Sequence, residues 1–264
     1  MTIYFLGGGN MAAAIVAGLH REGRQGEVHV VNRGAEKREK LAKRYGVRTS
    51  ETLPPLSADD TLVLAVKPQD MEQACLGVQT NGALVISVAA GLGVDTLSRY
   101  LGGTRRIIRT MPNTPSQIGM GVSGLYAADG VGEADKIKAE AMMRPSGAVV
   151  WLGGEAQIHA ITGISGSGPA YVFYLMNALQ EAAKAQGFEE SEARALSLAT
   201  FKGAVALAEQ TGESFAVLQQ NVTSKGGTTH AAVETFKHHR VAEAIGLGVE
   251  ACVARSQEIA TQFE

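Results

Sequence analysis

A glycine-rich turn lies between the first apolar run and the first helical run of the chain. The stretch FLGGGNMAAAI, residues 5–15, has the spacing Gly7-x-Gly9-x-x-Ala12. In a dinucleotide-binding turn the first glycine permits a sharp bend, the second lets a pyrophosphate approach the backbone, and a small third residue lets helix and strand pack closely. Backbone N–H groups at the helix N-terminus then face the anion. The spacing predicts a nucleotide site, with a purely structural turn as the alternative, and its residues are Gly7, Gly8, Gly9, Asn10 and Met11.

The end of the second apolar run indicates which nucleotide binds. The stretch EVHVVNR ends in Asn32 and Arg33, where a NAD site has an acidic residue that binds the ribose 2′-hydroxyl. A carboxylate there would repel a 2′-phosphate, whereas Arg33 can pair with it. We therefore predict NADP as cofactor, with NADPH preferred and the use of NADH left open. The alternative is that Arg33 is a solvated arginine at the start of a loop.

Two later strand ends predict the rest of a cofactor groove. AVKP and VAAG follow apolar runs, and ligands bind at the carboxyl ends of strands in open parallel sheets. Small residues at these ends leave room for a ribose and a nicotinamide ring. Lys67 either contacts the cofactor, acts in catalysis or is a surface lysine. The predicted contacts are Ala65, Val66, Lys67, Pro68, Val88, Ala89 and Ala90.

The periodicity of the chain changes near residue 154. Before it, strand-like and helical runs alternate, which is the pattern of an α/β protein with a doubly wound, parallel sheet. The predicted strands are residues 3–7, 27–33, 61–68, 83–90, 106–112, 121–127 and 148–153, and the helices are 11–21, 35–45, 69–78 and 133–143. After it, only helices are predicted, at residues 157–162, 169–186, 191–209, 215–221, 228–236 and 240–261. The second half is therefore expected to be an all-α domain.

One helix of the second half is apolar on nearly every side. In EARALSLATFKGAVALAEQ, residues 192–210, alanines and large apolar residues leave no wholly polar face. A domain of about 110 residues has little interior in which to bury two such long helices. We therefore expect a large interface with a second copy of the chain. A helix at the centre of a monomeric bundle is the alternative.

Composition excludes several other classes of function. The formal net charge of −2 provides no basic face for nucleic acid, so a small-molecule ligand is expected instead. Cys75 and Cys252 are far apart and lack partners at metal-ligand spacing, which predicts neither a zinc site nor a disulfide and favours a cytoplasmic location. The first residues do not resemble a signal peptide, and no run of 18 uncharged apolar residues predicts a membrane span.

Three further motifs carry a specific resemblance. RTMPNTP (109–115), SGSGPAY (165–171) and VTSKGGTT (222–229), together with the glycine turn, NR and AVKPQ in this order, closely resemble the pyrroline-5-carboxylate reductase family. The resemblance extends from about residue 3 to about residue 255. It implies NADPH-dependent reduction of 1-pyrroline-5-carboxylate to L-proline, the last step of proline biosynthesis. It also implies a Rossmann-like domain of residues 1–154, followed by an all-α dimerisation domain of residues 155–264, in a homodimer that often assembles further into a decamer.

The resemblance assigns roles to individual residues. It implies that the Thr229 hydroxyl faces the imine nitrogen, with Ser224 nearby, although a threonine in that place is also typical of a helix cap. Glu155 corresponds to an acidic residue near the family's substrate site and would favour an iminium cation, unless it is an ordinary solvated glutamate. Asn221 corresponds to a position that reaches the cofactor.

The glycines of SKGGTT suit a substrate that carries one carboxylate. They precede a helical run, so N–H groups at the helix N-terminus can bind that carboxylate. The predicted substrate residues are Gly226, Gly227, Thr228, Thr229 and Glu155. The chain departs from the family at Lys225, where proline is common, and at Gln219 and Gln220, where a basic–acidic pair is common. Lys225 either adds a cation for the carboxylate or points to solvent.

Two other functions remain open at this point. A β-hydroxyacid dehydrogenase also joins two such domains and relies on a helical lysine, for which Lys184 and Lys202 are the candidates. A non-catalytic NADPH sensor would keep the glycine turn and lose the substrate loop, whereas this chain has both. The pair His238 and His239 is typical of solvated helix residues, and we predict no metal site.

Overall fold

The computed structural model describes residues 1–263, which form two compact units. Met1–Ser167, together with the chain from Ala251 onward, forms the first unit, and Gly168–Glu250 forms the second. These units divide the chain at other points than the predicted domain boundary after residue 154. Residues 155–167 and the end of the last helix belong with the sheet.

An eight-stranded sheet forms the centre of the first unit. Its strands are β1 (Ile3–Leu6), β2 (Val28–Val31), β3 (Arg48–Ser50), β4 (Thr61–Leu64), β5 (Leu84–Ser87), β6 (Ile107–Met111), β7 (Gly121–Ala127) and β8 (Gly147–Trp151). They lie in the order β3-β2-β1-β4-β5-β6-β7-β8. The predicted parallel arrangement is confirmed for β1 to β6.

The last two strands run in the opposite direction. β7 pairs antiparallel with β6, and β8 pairs parallel with β7. The link from Met111 to Gly121 contains only a 3₁₀ turn, Thr114–Ile118, and has no crossover helix. Because a parallel neighbour requires a crossover of a dozen or more residues, this short link returns the chain antiparallel.

Helices cover both faces of the sheet. They are α1 (Asn10–Arg21), α2 (Ala35–Tyr45), α3 (Met71–Cys75), α4 (Val94–Tyr100), α5 (Glu133–Met143) and α6 (Gln157–Ile161). Successive strand residues point to opposite faces, so Phe5 belongs to one buried cluster and Tyr4 to the other. Covering on both faces explains why the central strands are almost wholly apolar. The first unit is therefore Rossmann-like, as predicted.

The segment after β8 packs on the sheet unit. A methyl group added at Gly124 in β7 would lie 2.9 Å from Ile161 Cγ2, so α6 approaches the strand closely. His159 Nδ1 lies 2.9 Å from Ser256 Oγ, and Ser167 Oγ lies 3.1 Å from Cys252 Sγ. These contacts explain why residues 155–167 and the chain from Ala251 onward belong to the same unit.

The second unit is wholly helical among its described residues. It contains α7 (Gly168–Ala185), α8 (Glu190–Thr211), α9 (Phe215–Asn221) and α10 (Thr228–His238), followed by α11 (Val241–Thr261). α8 begins with a capping box between Glu189 and Glu192, and Gly212 at φ 66° ends it. The predicted helices are confirmed with ends shifted by at most a few residues. No helix among the described residues is long and apolar enough to cross a membrane.

Candidate active site

The first glycine of the turn occupies a position that only glycine can take. Gly7 has φ +105°, and its N–H donates to Val31 O at 2.8 Å. A methyl group there would lie 2.6 Å from Ala65 O, which is too close for any side chain. Gly7 therefore lets β1, β2 and the end of β4 meet at one point of the sheet edge.

The third glycine begins α1 and faces open space. Gly9 is the N-cap, and a methyl group there would meet nothing nearer than Ala65 O at 3.8 Å. No side chain caps the helix, and its first turn contains no acidic residue. The first N–H groups of a helix lack acceptors within it, so Asn10 and Met11 present donors to an anion. The turn fits the pyrophosphate of a dinucleotide.

A groove of about 1180 Å³ runs from this turn along the carboxyl ends of the strands. It brings together eight of the predicted cofactor residues, which are Gly7, Gly8, Gly9, Asn32, Arg33, Ala65, Val66 and Lys67. This volume exceeds the range of about 300–1,000 Å³ that is typical for small ligands, so a dinucleotide fits it. The sequence did not single out Lys37, which also lines this groove.

The other predicted cofactor residues have different surroundings. Val88, Ala89 and Ala90 directly follow β5, and the Ala89 N–H donates to Ser87 Oγ at 3.3 Å. The Ala89 side chain is buried in the core, so backbone atoms are what it could offer to a ligand. Met11 packs against the core, and Pro68 begins a 3₁₀ turn at Pro68–Asp70. The contacts of these residues with a cofactor stay predictions.

Asn32 connects the glycine turn to the loop after β2. Its Oδ1 accepts a hydrogen bond from the Gly8 N–H at 3.2 Å, and its Nδ2 donates to Gly34 O at 3.1 Å. Arg33 is exposed beside it and lines the groove. The amide of Asn32 thus positions the loop, while the guanidinium of Arg33 is available to a ligand.

An ion pair between a buried arginine and a half-buried glutamate joins β6 to the segment after β8. Arg109 Nη1 donates to Glu155 Oε1 at 2.7 Å, and the Arg109 side chain is only 5% exposed. The same Oε1 accepts the Val94 N–H at 2.7 Å. Glu155 therefore caps α4 and neutralises Arg109, so it is not a freely solvated glutamate. Whether it also contributes to the substrate site stays a prediction.

His159 lies near this pair. Burial, and next the charge of Arg109, lower the pKa of His159 below its ordinary value, while Glu155 opposes them. Its Nδ1 is within hydrogen-bond distance of Ser256 Oγ. These contacts give His159 a structural role at the end of α11.

Asn113 connects two of the motifs that the sequence singled out. Its Nδ2 donates to Ser165 O at 3.0 Å, and its Oδ1 accepts the Val122 N–H at 2.8 Å. RTMPNTP is therefore bonded to SGSGPAY through a buried amide. The architectural role expected for SGSGPAY agrees with this contact and with the start of α7 at Gly168.

The loop before α10 has a defined shape in the second unit. Gly226 has φ +75°, and the Gly227 N–H donates to Ser224 O at 3.0 Å. A methyl group at Gly227 would overlap Ser224 Oγ. Because the Gly227 N–H is already bonded, the free donors at this N-terminus are those of the first helical turn, Thr228, Thr229 and His230.

Thr229 is not the cap of its helix. The N-cap of α10 is Gly227, no side chain caps the helix, and Thr229 is the exposed second helical residue. The capping alternative for Thr229 is therefore excluded by the geometry. Lys225 is exposed, and Asn221 ends α9 with its Nδ2 at 3.3 Å from Glu213 Oε2.

Sequence reasoning missed Arg38 and gave no role to Arg109. Arg38 Nη1 donates to Asn32 O at 2.6 Å and to Arg33 O at 2.8 Å. An arginine within the apolar run RIIRTMP was a signal for Arg109, because a buried charge requires a partner. No such signal in the sequence indicated Arg38, because it is one of many charged residues in α2.

Models of two protein families match the chain. Residues 155–259 match a family described as pyrroline-5-carboxylate reductase dimerisation. Residues 2–91 match a family described as NADP oxidoreductase, coenzyme F420-dependent. The first match begins at Glu155, directly after the point where the sequence pattern changes.

Similar proteins match over almost the whole length of the chain. A pyrroline-5-carboxylate reductase of Vibrio alginolyticus is 39% identical and covers 99% of this chain and 98% of its own length. A reductase of that name from Haemophilus influenzae is 36% identical, again over 99% of this chain and 98% of its own.

Solved structures are also similar to this chain over almost its whole length. A pyrroline-5-carboxylate reductase of Coxiella burnetii superposes with a TM-score of 0.89 at 38% identity, over 98% of each chain. A pyrroline carboxylate reductase of Plasmodium falciparum with NADP bound shares the fold, with a TM-score of 0.85 at 23% identity over 98% of each chain.

Proposed function

The chain belongs to the pyrroline-5-carboxylate reductase family, and we infer that it reduces the cyclic imine 1-pyrroline-5-carboxylate to L-proline with NADPH. This is an oxidoreductase reaction and the last step of proline biosynthesis. The observation that carries the inference is the 39% identity over 99% of the chain with a reductase of that name. The glycine turn and the GGTT loop are both complete, which agrees with it.

The reaction adds a hydride to the imine carbon and a proton to the imine nitrogen. NADPH, when bound, supplies the hydride. The protein must therefore hold two reactants in a reacting geometry, which can contribute roughly 7–11 kcal/mol to catalysis. It must also place a hydrogen-bond donor at the nitrogen, because negative charge would otherwise develop there.

We assign the cofactor to the groove of the first unit. The N-terminus of α1 suits the pyrophosphate, and Arg33 suits the 2′-phosphate because no carboxylate ends β2. The strand ends at Ala65–Pro68 and Val88–Ala90 are proposed to receive the ribose and nicotinamide. Asn221 is proposed as an additional cofactor contact.

We assign the substrate carboxylate to the N-terminus of α10. The N–H groups of Thr228, Thr229 and His230 face outward there, and Gly226 and Gly227 shape the turn that leads to them. The Thr229 hydroxyl is proposed to donate to the imine nitrogen, with Ser224 as a neighbour that supports the loop. Lys225 is close enough in sequence to add a positive charge.

Glu155 is proposed to contribute a negative potential near the substrate. Its charge is offset by Arg109, which donates to the same carboxylate at 2.7 Å. The pairing reduces any influence of Glu155 on an iminium cation. Its larger effect is expected through the loop that it holds at Val94.

We propose that the chain forms a homodimer, which the family often assembles further into a decamer. The match to a dimerisation family over residues 155–259 supports self-association. So does the surface of the second unit, because α7, α9 and α10 contain no buried residue in the single chain. The same match supports a functional division of the chain into residues 1–154 and 155–264.

We also propose the cytoplasm as the location of the protein. Cys75 and Cys252 are both free thiols, which suits a reducing compartment. Burial raises the pKa of the Cys75 thiol to about 11, so this residue is not reactive.

The dehydrogenase alternative has less support in the structure. Lys184 lies 2.7 Å from Glu190 and 3.2 Å from Glu181, so its ammonium group is already paired with two carboxylates.

A loss of NADPH absorbance with pyrroline-5-carboxylate tests the proposed reduction. Turnover with a hydroxy acid and NADP, and none with the imine, would favour the dehydrogenase.

A further inference from the structure

We propose that Arg38 is a positioning residue for the 2′-phosphate of the cofactor and sets the preference of this protein for NADPH over NADH. The proposal deepens the NADPH-dependent function given above and rests on it. Arg38 acts through the loop of residues 32–34, which follows β2, and makes no contact with the phosphate itself.

Arg38 binds two consecutive carbonyl groups of this loop. Its Nη1 donates to Asn32 O at 2.6 Å and to Arg33 O at 2.8 Å. Both are charge-assisted hydrogen bonds, which are shorter and stronger than neutral ones. The Arg38 side chain is 20% exposed and is not part of the groove lining, whereas Asn32, Arg33 and Gly34 are. The carbonyl oxygens of Asn32 and Arg33 therefore point toward Arg38 and not into the groove.

The orientation of the carbonyls fixes the orientation of the next N–H groups. In a trans peptide the C=O of one residue and the N–H of the next point in opposite directions. No cis peptide bond occurs in residues 1–263, so the N–H groups of Arg33 and Gly34 point away from Arg38. Among the described residues neither N–H has an acceptor. Two free donors therefore lie on the side of the loop opposite Arg38, where an anion can accept hydrogen bonds from them.

Acidic side chains near this loop make the orientation of its carbonyl groups important for binding a 2′-phosphate. Arg33 and Lys37 line the groove and favour a phosphate, but Glu36 and Glu51 line it as well. Arg38 Nη2 lies 3.9 Å from Glu51 Oε2, so its charge also offsets that carboxylate. Without Arg38, two carbonyl oxygens would be free to turn toward the groove beside two carboxylates, and a 2′-phosphate would be repelled. NADH lacks that phosphate and would be affected much less.

The glycine turn is held by contacts that do not involve Arg38. The Gly7 N–H donates to Val31 O at 2.8 Å, and Asn32, which bonds Gly8, is itself held to β3 because its N–H donates to Ser50 O at 3.0 Å. The pyrophosphate site should therefore survive the loss of Arg38. The loss of Arg38 is therefore expected to weaken the binding of NADPH, which carries the 2′-phosphate, and to leave the binding of NADH nearly unchanged.

The test compares the dissociation constants of NADPH and NADH, measured by nucleotide fluorescence without any imine. Arg38→Gln is expected to weaken NADPH binding about tenfold and NADH binding less than about twofold. Arg38→Lys keeps the positive charge, but the lysine side chain is one bond shorter. We therefore expect it to weaken NADPH binding selectively as well, but by less than Arg38→Gln does. If the Gln variant does not fold, the Lys variant decides by the same comparison.

Arg44→Gln is the matched control, because Arg44 is an exposed arginine on the same helix without a bond to the loop. It is expected to leave the ratio of the two dissociation constants unchanged. Equal weakening of both nucleotides by Arg38→Gln, or an equal change of the ratio by Arg44→Gln, would overturn the proposal.

A double-mutant cycle separates positioning from direct binding. If Arg38 acts through the loop that carries Arg33, the effects of Arg33→Met and Arg38→Gln on NADPH binding should be clearly less than additive. Full additivity would contradict the mechanism. Because no imine is present, failure of the proposed reduction would leave these binding results unaltered, so the two failures are distinguishable.

Discussion

Thr229 is the residue whose hydroxyl we propose as the donor to the imine nitrogen. The structure removes its competing role, since Gly227 is the N-cap of α10 and Thr229 is the second residue of the helix. A second-position hydroxyl is free to face a ligand that binds at the helix N-terminus. The carboxylate and the nitrogen of the substrate are close together, so one helix end can serve both.

Replacing Thr229 should impair the chemical step and leave cofactor binding intact. We expect Thr229→Ala to lower kcat about 10²-fold, because a donor at a reacting atom contributes about 10²–10⁴-fold. The dissociation constant of NADPH should stay within twofold, and Thr229→Ser should retain most of the activity.

Thr235→Ala provides the comparison within the same helix. Thr235 Oγ1 donates to Ala231 O at 2.9 Å, so this hydroxyl bonds its own helix. Its removal should leave kcat unchanged. A Thr229→Ala enzyme with wild-type kcat would remove Thr229 from the mechanism.

Single residues show where prediction from sequence succeeds and where it ends. Gly7 was predicted to permit a sharp turn and has φ +105°, because steric rules for glycine are local. The predicted approach of a pyrophosphate to Gly9 stays a prediction. The partner of Glu155 was not predicted, since Arg109 is 46 positions away in the chain. Ion pairs across such distances depend on the fold, which a local pattern does not contain.

At the scale of elements, α4 depends on a residue from another part of the chain. Glu155 caps its first turn through the Val94 N–H and pairs with Arg109 in β6. α4 follows directly on the strand end at Val88–Gly91. The pair therefore holds α4 and the adjacent loop after β5 in one arrangement.

Breaking this pair should destabilise the protein strongly. Glu155→Ala leaves the guanidinium of Arg109 buried and uncompensated, which costs about 3–5 kcal/mol. A loss of this size corresponds to a fall in Tm of about 6–20 °C for a protein of this length. Arg109→Met combined with Glu155→Met should lose less than the sum of the single changes, because no unpaired charge remains.

An exposed ion pair provides the contrast. Arg105 Nε lies 2.9 Å from Asp129 Oδ1 on the surface, so Asp129→Asn should change Tm little. Thermal unfolding followed by circular dichroism measures all of these variants. Similar shifts for Asp129→Asn and Glu155→Ala would show that Arg109 and Glu155 have no special structural role.

The elements themselves were largely predictable. All seven predicted strands and most helices are present, since buried strands are continuous apolar runs and helices have a period of 3.6 residues. β3 was missed because its sequence, RTS, is short and polar, and α4 (Val94–Tyr100) was not predicted. The predicted helix 69–78 is a 3₁₀ turn followed by the short helix Met71–Cys75.

At the scale of the whole molecule, the second unit buries few of its apolar side chains in the single chain. Large apolar side chains are exposed in the single chain, among them Phe173 at 64% and Phe215 at 82%. The helix predicted to be apolar on nearly every side, now α8, buries only Ala193 and Ser197. Such surfaces on a soluble monomer are unusual and mark protein interfaces.

Self-association should depend on this apolar surface. Sedimentation equilibrium should give at least twice the chain mass of 27.6 kDa. Leu198 and Val205 lie 7 positions apart on α8, at 49% and 58% exposure. Leu198→Asp combined with Val205→Asp should lower the mass toward that of one chain.

Ile137→Asp is the control for a charge placed on an exposed apolar residue of the first unit, in α5. It should leave the sedimenting mass unchanged. A wild-type chain that stays monomeric at micromolar concentration would contradict the homodimer.

The most direct measurement follows the hydride itself. NADPH that carries deuterium at both positions of C4 is incubated with the protein and 1-pyrroline-5-carboxylate, and the product is analysed by mass spectrometry and NMR. We predict one L-proline for each NADPH consumed, with one deuterium on the carbon that formed the C=N bond. NADPH consumption without proline, or proline without deuterium at that carbon, would contradict it.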